Sequence, residues 1–196
     1  GQNLFIGQFG GAGGVKVSND GGATFRPSNA GLNANQVNAL FNDGNVLMAA
    51  SSGSNLFASN NNGENWTRSG GEADIFGDIV GITRIGNTLF AASDGVYRSA
   101  NGGQSWEKKS NGLNISLITT LLADGNTLYV AGSGAVFKST DLGETWIDLS
   151  NGLSNSAVVS MGVVGSTLFL GTYLENLDGT PAPGITVWVG SKMSRT

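Results

Sequence analysis

The sequence predicts an all-β fold: a β-propeller of about five four-stranded antiparallel blades, its ring incomplete or closed by a partner. Three observations predict it. The pattern Ser-x-Asp/Asn-x-Gly-x-x-Trp/Phe occurs four times, at Ser18 to Phe25, Ser59 to Trp66, Ser99 to Trp106 and Ser139 to Trp146, with starts 41, 40 and 40 residues apart. A Leu-led apolar pair recurs on the same period as Leu4-Phe5, Leu47-Met48, Leu89-Phe90, Leu128-Tyr129 and Leu168-Phe169, which adds a fifth copy. Glycine supplies 32 of 196 residues and proline only 3, and the Gly-rich spots alternate with short apolar runs, as tight turns between strands require. A fixed period of about 40 residues carrying several short strands is the mark of a propeller.

Each unit reads as four strands, and the third shows them most clearly. Ile79 to Ile82 is the first strand, Gly86-Asn87 a turn, and Thr88 to Ala92 the second strand. Ser93-Asp94-Gly95 turns the chain into Val96 to Ser99, the box follows, and Ser105 to Lys108 closes the unit. The third strand repeats as Val15-Lys16-Val17, Leu56-Phe57-Ala58, Val96-Tyr97-Arg98 and Val136-Phe137-Lys138. Linkers Ala30-Gly31-Leu32, Asn111-Gly112-Leu113 and Asn151-Gly152-Leu153 close several units. The whole chain is expected to be one domain, with units at about 1–34, 35–74, 75–114, 115–154 and 155–196. The first unit is expected to lack its opening strand and the fifth its last, because no box follows Ile185 to Val189.

The box sits where the third strand turns into the fourth. Gly22, Gly63, Gly103 and Gly143 are free to take φ > 0 there. Asp20, Asn61, Asn101 and Asp141, with the hydroxyls of Ser18, Ser59, Ser99 and Ser139, can accept the N–H groups that no strand neighbour reaches, as in an Asx turn. The closing aromatic, Phe25, Trp66, Trp106 or Trp146, is expected to fold back and pin its own hairpin. Burying one such ring is worth roughly 2–3 kcal/mol. The box is therefore read as a structural staple. Four cation sites are the rival reading, and it is weakened by Asn61 and Asn101, since a cation would want the charge.

Bulk chemistry excludes several functions. With 10 basic against 14 acidic residues and no Lys/Arg run, nothing marks a nucleic-acid or anionic-membrane partner. No stretch approaches about 18 consecutive apolar residues, so no membrane-inserting helix is expected. The chain opens on Gly1-Gln2-Asn3 without a basic-then-apolar leader, as a mature or trimmed exported protein would. Zero Cys removes disulfides, Cys-ligated zinc and thiol catalysis, and zero His removes Ser-His-Asp catalysis and His metal sites. No cofactor or metal is expected. The Gly-rich run at Gly10 to Gly14 is no phosphate cradle, because neither a helix nor a P-loop Lys follows it.

The four boxes resemble the Asp-box, or BNR repeat, and the resemblance covers all but the end of the fifth unit. In texture, with Gly-Asn-Thr-Leu-Phe/Tyr, Gly-Val-Tyr-Arg-Ser, the box and Asn-Gly-Leu, the chain looks most like non-catalytic bacterial exported or surface propellers and photosystem II assembly-factor-like repeats. Such resemblance implies a propeller and, for location, the extracellular space or cell surface. Sialidases share the repeat, but their three substrate-binding arginines, tyrosine nucleophile and acid/base pair are not matched. Phe25-Arg26-Pro27 resembles their Arg-Ile-Pro element, yet it lacks the Ile and directly follows a box. Sialidases also build more blades than this chain supplies.

In propeller strand order, the turn between strands two and three and the linker to the next unit share one face, opposite the boxes. Acids expected on that face are Glu72, Asp74, Asp78, Asp94, Glu175 and Asp178. Three of its loops break the repeat: Gln8 to Gly14, Gly70 to Asp78, and Tyr173 to Gly184. Phe9, Phe76 and Tyr173 could stack on a sugar or peptide, while Asp74, Asp78, Asp94, Glu175 and Asp178 bond hydroxyls or a cation. The favoured function is a non-catalytic binding or scaffold propeller of an exported or surface protein, recognising glycan or protein through these loops. One alternative is a carbohydrate-active enzyme using funnel carboxylates. The other is an architectural or filament-forming repeat, associating with itself or a flanking segment through unpaired edge strands.

Overall fold

The computed structural model describes residues 3–8, 13–34, 36–42, 44, 46–51, 53, 55–70, 77–151, 153, 157–175, 181–189 and 192–195. Five antiparallel sheets follow one another along the chain. Blade 1 has three strands, β1 (Leu4–Gln8), β2 (Gly14–Ser18) and β3 (Arg26–Pro27). Blade 2 is built from β4 (Val37–Asn42), β5 (Leu47–Ser51), β6 (Asn55–Ser59) and β7 (Thr67–Arg68), in that order. Blade 3 comprises β8 (Gly81–Ile85), β9 (Thr88–Ala92), β10 (Val96–Ser99) and β11 (Glu107–Lys108). Blade 4 comprises β12 (Ile118–Asp124), β13 (Thr127–Gly132), β14 (Val136–Ser139) and β15 (Ile147–Asp148). Blade 5 comprises β16 (Ala157–Val164), β17 (Thr167–Glu175), β18 (Pro181–Val189) and β19 (Lys192–Arg195). Among the described residues there is no helix, and so none long and apolar enough to cross a membrane.

Blade 1 opens with β1, the counterpart of the second strands β5, β9, β13 and β17, so its first strand is absent among the described residues. Blade 5 differs from the sequence expectation. It has a fourth strand: β19 pairs with β18 from Thr186↔Arg195 to Val189↔Lys192, and a direct hairpin replaces the box. The supposed loop from Tyr173 to Gly184 is also largely strand, with Tyr173↔Pro183 and Glu175↔Pro181 in register. Both prolines lie beyond the stretch of β18 that pairs with β19, so on that side they border no strand.

The first strands β4, β8, β12 and β16 pack on one another in sequence, and each blade lies face to face against the next. A four-stranded sheet is a single layer. It can bury side chains only against a neighbouring sheet, so the core consists of four inter-blade clusters. Leu47, Ala49 and Trp66 of blade 2 cluster with Val15 of blade 1. Leu89, Ala91 and Trp106 of blade 3 meet Met48 and Ala50 of blade 2. Leu128, Val130 and Trp146 of blade 4 meet Phe90 and Ala92 of blade 3, and Leu168 and Leu170 of blade 5 meet Ala131 of blade 4. The box tryptophans thus do more than close their own hairpins: each clusters with its own blade's second strand and with the blade before it. Each tryptophan enters the preceding blade's core, because only there is a second layer available.

The linkers turn the chain between blades and plug these cores. Leu32 N–H bonds Asn29 O at 2.9 Å, Leu113 N–H bonds Ser110 O at 3.0 Å and Leu153 N–H bonds Ser150 O at 2.8 Å. Each leucine then packs on the inter-blade cluster beside it.

Candidate functional site

Two faces of the blades carry distinct chemistry. On one, the four box turns make nearly the same bonds. The Ser18, Ser59, Ser99 and Ser139 hydroxyls, each no more than 2% exposed, donate to Asp20, Asn61, Asn101 and Asp141 at 2.7–2.8 Å. They accept the N–H of Gly22, Gly63, Gly103 and Gly143 at 2.8–2.9 Å. The same Asp or Asn oxygen accepts a further N–H at 3.0 Å from Thr24, Asn65, Ser105 or Thr145. This accounts for the Asp/Asn exchange. The Thr24 and Thr145 hydroxyls donate to the second oxygens of Asp20 and Asp141, whereas Asn101 Nδ2 donates to the Ser105 hydroxyl at 2.8 Å.

Those bonds hold the Asp20 carboxyl well below its ordinary value, with the Thr24 hydroxyl the largest cause. Asp141 is lowered to about 2, chiefly by the Thr145 hydroxyl and then its N–H. The carboxylates are thereby occupied with the chain's own donors.

The turns also clamp adjacent blades. Ser28 Oγ donates to Gly63 O, and Trp66 Nε1 returns a 2.7 Å bond to Ser28 O. Ser69 Oγ donates to Gly103 O, and Trp146 Nε1 donates to Lys109 O at 2.8 Å. Where Lys109 replaces the serine, a charged cluster bridges blades 3 and 4. Arg98 meets Glu144 at 2.7 Å and Glu107 at 3.3 Å, and Lys109 meets Glu107 at 2.8 Å and Glu144 at 3.1 Å.

The opposite face carries the linkers, the turns between second and third strands, and the starts of the first strands. The strand register shifts across one residue near the start of three first strands, at Asn38, Thr119 and Val159. Val80 occupies the same place in blade 3, its N–H bonded to Ala92 O at 2.9 Å. The preceding anchors Val37, Ile79, Ile118 and Val158 are 0–5% exposed. A bulge turns the next side chain outward. Val80 is accordingly 39% exposed and Val159 52%, and Leu117, just before its anchor, is 60% exposed. Three successive blades thus present one large apolar side chain each where their packed first strands begin. Thr119 Oγ1, between Val80 and Val159 in this row, donates to Ala131 O and Val158 O and ties blade 4 to blade 5.

The residues singled out from the sequence are dispersed differently. Asp78 Oδ1 accepts the Gly53 N–H at 3.0 Å, which ties a turn of blade 2 to the entry of blade 3. Asp94 accepts the Tyr97 hydroxyl at 2.5 Å and Lys108 Nζ at 2.7 Å, and Lys108 lies 5.4 Å from the Tyr97 ring centre. Burial pushes the Asp94 carboxyl up, but its bonds from Lys108 and Tyr97 outweigh that and hold its pKa below the ordinary value. Lys108 is raised, first by its bond to Asp94. Asp94 therefore carries no proton to donate near neutrality, which disqualifies it as a general acid. Tyr173 and Glu175 belong to β17. Phe9, Glu72, Asp74, Phe76 and Asp178 lie outside the described residues.

Sequence reading missed Val80, Leu117 and Val159. In Ile79-Val80, Leu117-Ile118 and Val158-Val159 an exposed residue sits beside a buried one, and nothing in the pair says which is which. A register slip would have been the signal, and pairing alone reveals it.

No family model matches the chain, and no curated protein sequence matches it. Solved structures do. YCF48 bound to D1 peptide superposes with a TM-score of 0.71 at 14% identity, over 95% of this chain and 62% of that one. The fold is a β-propeller. The extracellular domain of BT4673 from B. thetaiotaomicron matches with a TM-score of 0.65 at 15% identity, over 92% of this chain and 25% of that one. The computationally designed Ika4 protein matches with a TM-score of 0.60 at 16% identity, over 82% of this chain and 94% of that one. The propeller described here spans less than two thirds of the length of the YCF48 structure.

Proposed function

We propose that this propeller is a non-catalytic binding module that takes an extended, apolar protein segment on its linker face, across the starts of the first strands of blades 3 to 5. One observation carries the reading: Val80, Leu117 and Val159 are 39%, 60% and 52% exposed beside first-strand anchors that are buried. An extended peptide presents apolar side chains at alternate positions, and a row of aliphatic contacts with bulged strand starts between them suits it. A propeller of similar fold has been solved with a peptide bound, which supports a protein ligand over a glycan. The four box turns are assigned on this reading to the Asp-box type, as staples. An extracellular residence is favoured by the resemblance to the BT4673 domain.

The test uses fluorescein-labelled peptides of about six to ten residues with Leu, Ile, Val or Phe at alternate positions, read by fluorescence polarisation against a Ser/Glu control of equal length. Leu117→Asp and Val159→Asp should each weaken binding about tenfold or more, since each removes an apolar contact worth about 1.4 kcal/mol or above. The melting temperature should stay unchanged, because both side chains are exposed. Failure of every apolar peptide, or equal binding by the variants, would sink the assignment. Retention of a glycan array by a chain that ignores the peptides would move the ligand class to sugars.

A further inference from the structure

The row of first-strand starts on the linker face changes its chemistry from blade to blade. Aligned on the buried anchors Val37, Ile79, Ile118 and Val158, the residues just before them are Gln36, Asp78, Leu117 and Ala157, and those just after are Asn38, Val80, Thr119 and Val159. Blade 2 offers amides, blade 3 a carboxylate beside a valine, and blades 4 and 5 mostly hydrocarbon. Asp78 is the single charge at these positions.

Asp78 stands where Leu117 stands in blade 4. It is exposed, and its Oδ1 is held by the Gly53 N–H at 3.0 Å, so the carboxylate keeps a fixed seat at the entry of blade 3. Among the described residues no cation pairs with it. Asp94, on the same face, is by contrast matched by Lys108 at 2.7 Å, and on the box face Glu107 and Glu144 are matched by Arg98 and Lys109. The chain brings no cation near Asp78 in sequence either. No Lys or Arg occurs between Arg68 on β7 and Arg84 on β8, and Arg84 pairs with Leu89 at the far, box-side end of its strand.

We propose that the segment bound in this row carries a lysine or arginine over Asp78, next to an apolar run that lies over Leu117 and Val159. The inference rests on the peptide-binding reading above and adds a charge and an orientation to it: the basic end lies at blade 3 and the apolar end at blade 5. A cation over Asp78 gains an opposite charge without displacing a partner already there. An anion in the same place meets a carboxylate that no described neighbour offsets.

The probes are fluorescein-labelled peptides of about eight residues, blocked at their free terminus, that share a run with Leu and Val at alternate positions and differ in one flanking residue: Lys, Gln or Glu. One set carries that residue before the run and another after it. Fluorescence polarisation at low salt should show, in one of the two sets, Lys binding about two- to fivefold tighter than Gln and about tenfold tighter than Glu, an ordering that shrinks at about 0.5 M salt. Asp78→Asn keeps an amide oxygen for the Gly53 N–H and should bring the Lys and Glu peptides within about twofold of each other. Glu64→Gln, at an exposed acid in a box turn on the opposite face, should preserve the ordering, which separates a local carboxylate from the net charge of −4. Equal binding of all three peptides by the wild type, or an ordering that survives Asp78→Asn, overturns the charged contact and leaves the apolar reading standing. Failure of every peptide to bind overturns both.

Discussion

Replacing Trp66 by alanine should unfold the protein far more readily than replacing Phe25, although both residues close the same repeated turn. Trp66 is 3% exposed, lies in the cluster between blades 1 and 2, and donates a 2.7 Å bond to Ser28 O. Truncating a buried tryptophan costs about 3–5 kcal/mol through lost burial and the cavity left behind. The Ser28 carbonyl also loses a donor, which adds about 1 kcal/mol. Phe25 is 39% exposed, with no described blade in front of it, so its truncation should cost about 1 kcal/mol or less. In urea, a slope of about 2 kcal/mol per molar turns these figures into midpoint shifts of about 2–3 M and about 0.5 M or less. The measurement is equilibrium unfolding followed by far-ultraviolet circular dichroism. Equal midpoint shifts for the two variants would refute the reasoning, since the aromatics would then be pinning their own hairpins rather than the preceding blade.

Adjacent glycines of one box separate backbone strain from steric exclusion. Gly102 has φ +70° and open space around an added Cβ, so Gly102→Ala should cost about 1 kcal/mol from the left-handed conformation alone. Gly103 has φ +88° and its Cβ would come within 2.7 Å of Ser69 Oγ, so Gly103→Ala should cost about 2–4 kcal/mol, read by the same unfolding curves. The box carboxylates predict acid sensitivity. Because folding lowers Asp141 from 3.8 to about 2, its contribution is complete above about pH 4 and is lost as the pH falls through that interval. Thr145→Val removes the largest cause and should move the Asp141 carbon resonance to titrate closer to 3.8, while Asp141 titrating at 3.8 in the wild type would rule the turn geometry out.

Much of the fold was legible because it repeats. The Leu-led second strands located five blades, and the box located the third-to-fourth turns of blades 1 to 4, since both depend on short-range needs: alternation, φ > 0 and a nearby acceptor. Blade 5 was misread at its end because its last turn is a plain hairpin between Val189 and Lys192, which leaves no composition to recognise. The loop after Tyr173 was misread because Tyr173 to Gly184 departs from the repeat, while β17 and β18 run on in register as far as Glu175↔Pro181.

The sequence by itself determined the period, the blade count, the box and its side-chain acceptors, and the absence of His and Cys chemistry. Each is a property of a few neighbouring residues, and neighbouring residues are all that a pattern records. Tertiary structure decided what lies between blades. It sent Trp66, Trp106 and Trp146 forward into the preceding core while Phe25 stays exposed. It engaged Asp78 and Asp94 with Gly53, Tyr97 and Lys108, and it turned Val80 and Val159 outward beside buried twins. A one-layer blade has no interior of its own, so burial is assigned only when sheets stack, and surfaces available for binding are the places where that stacking stops.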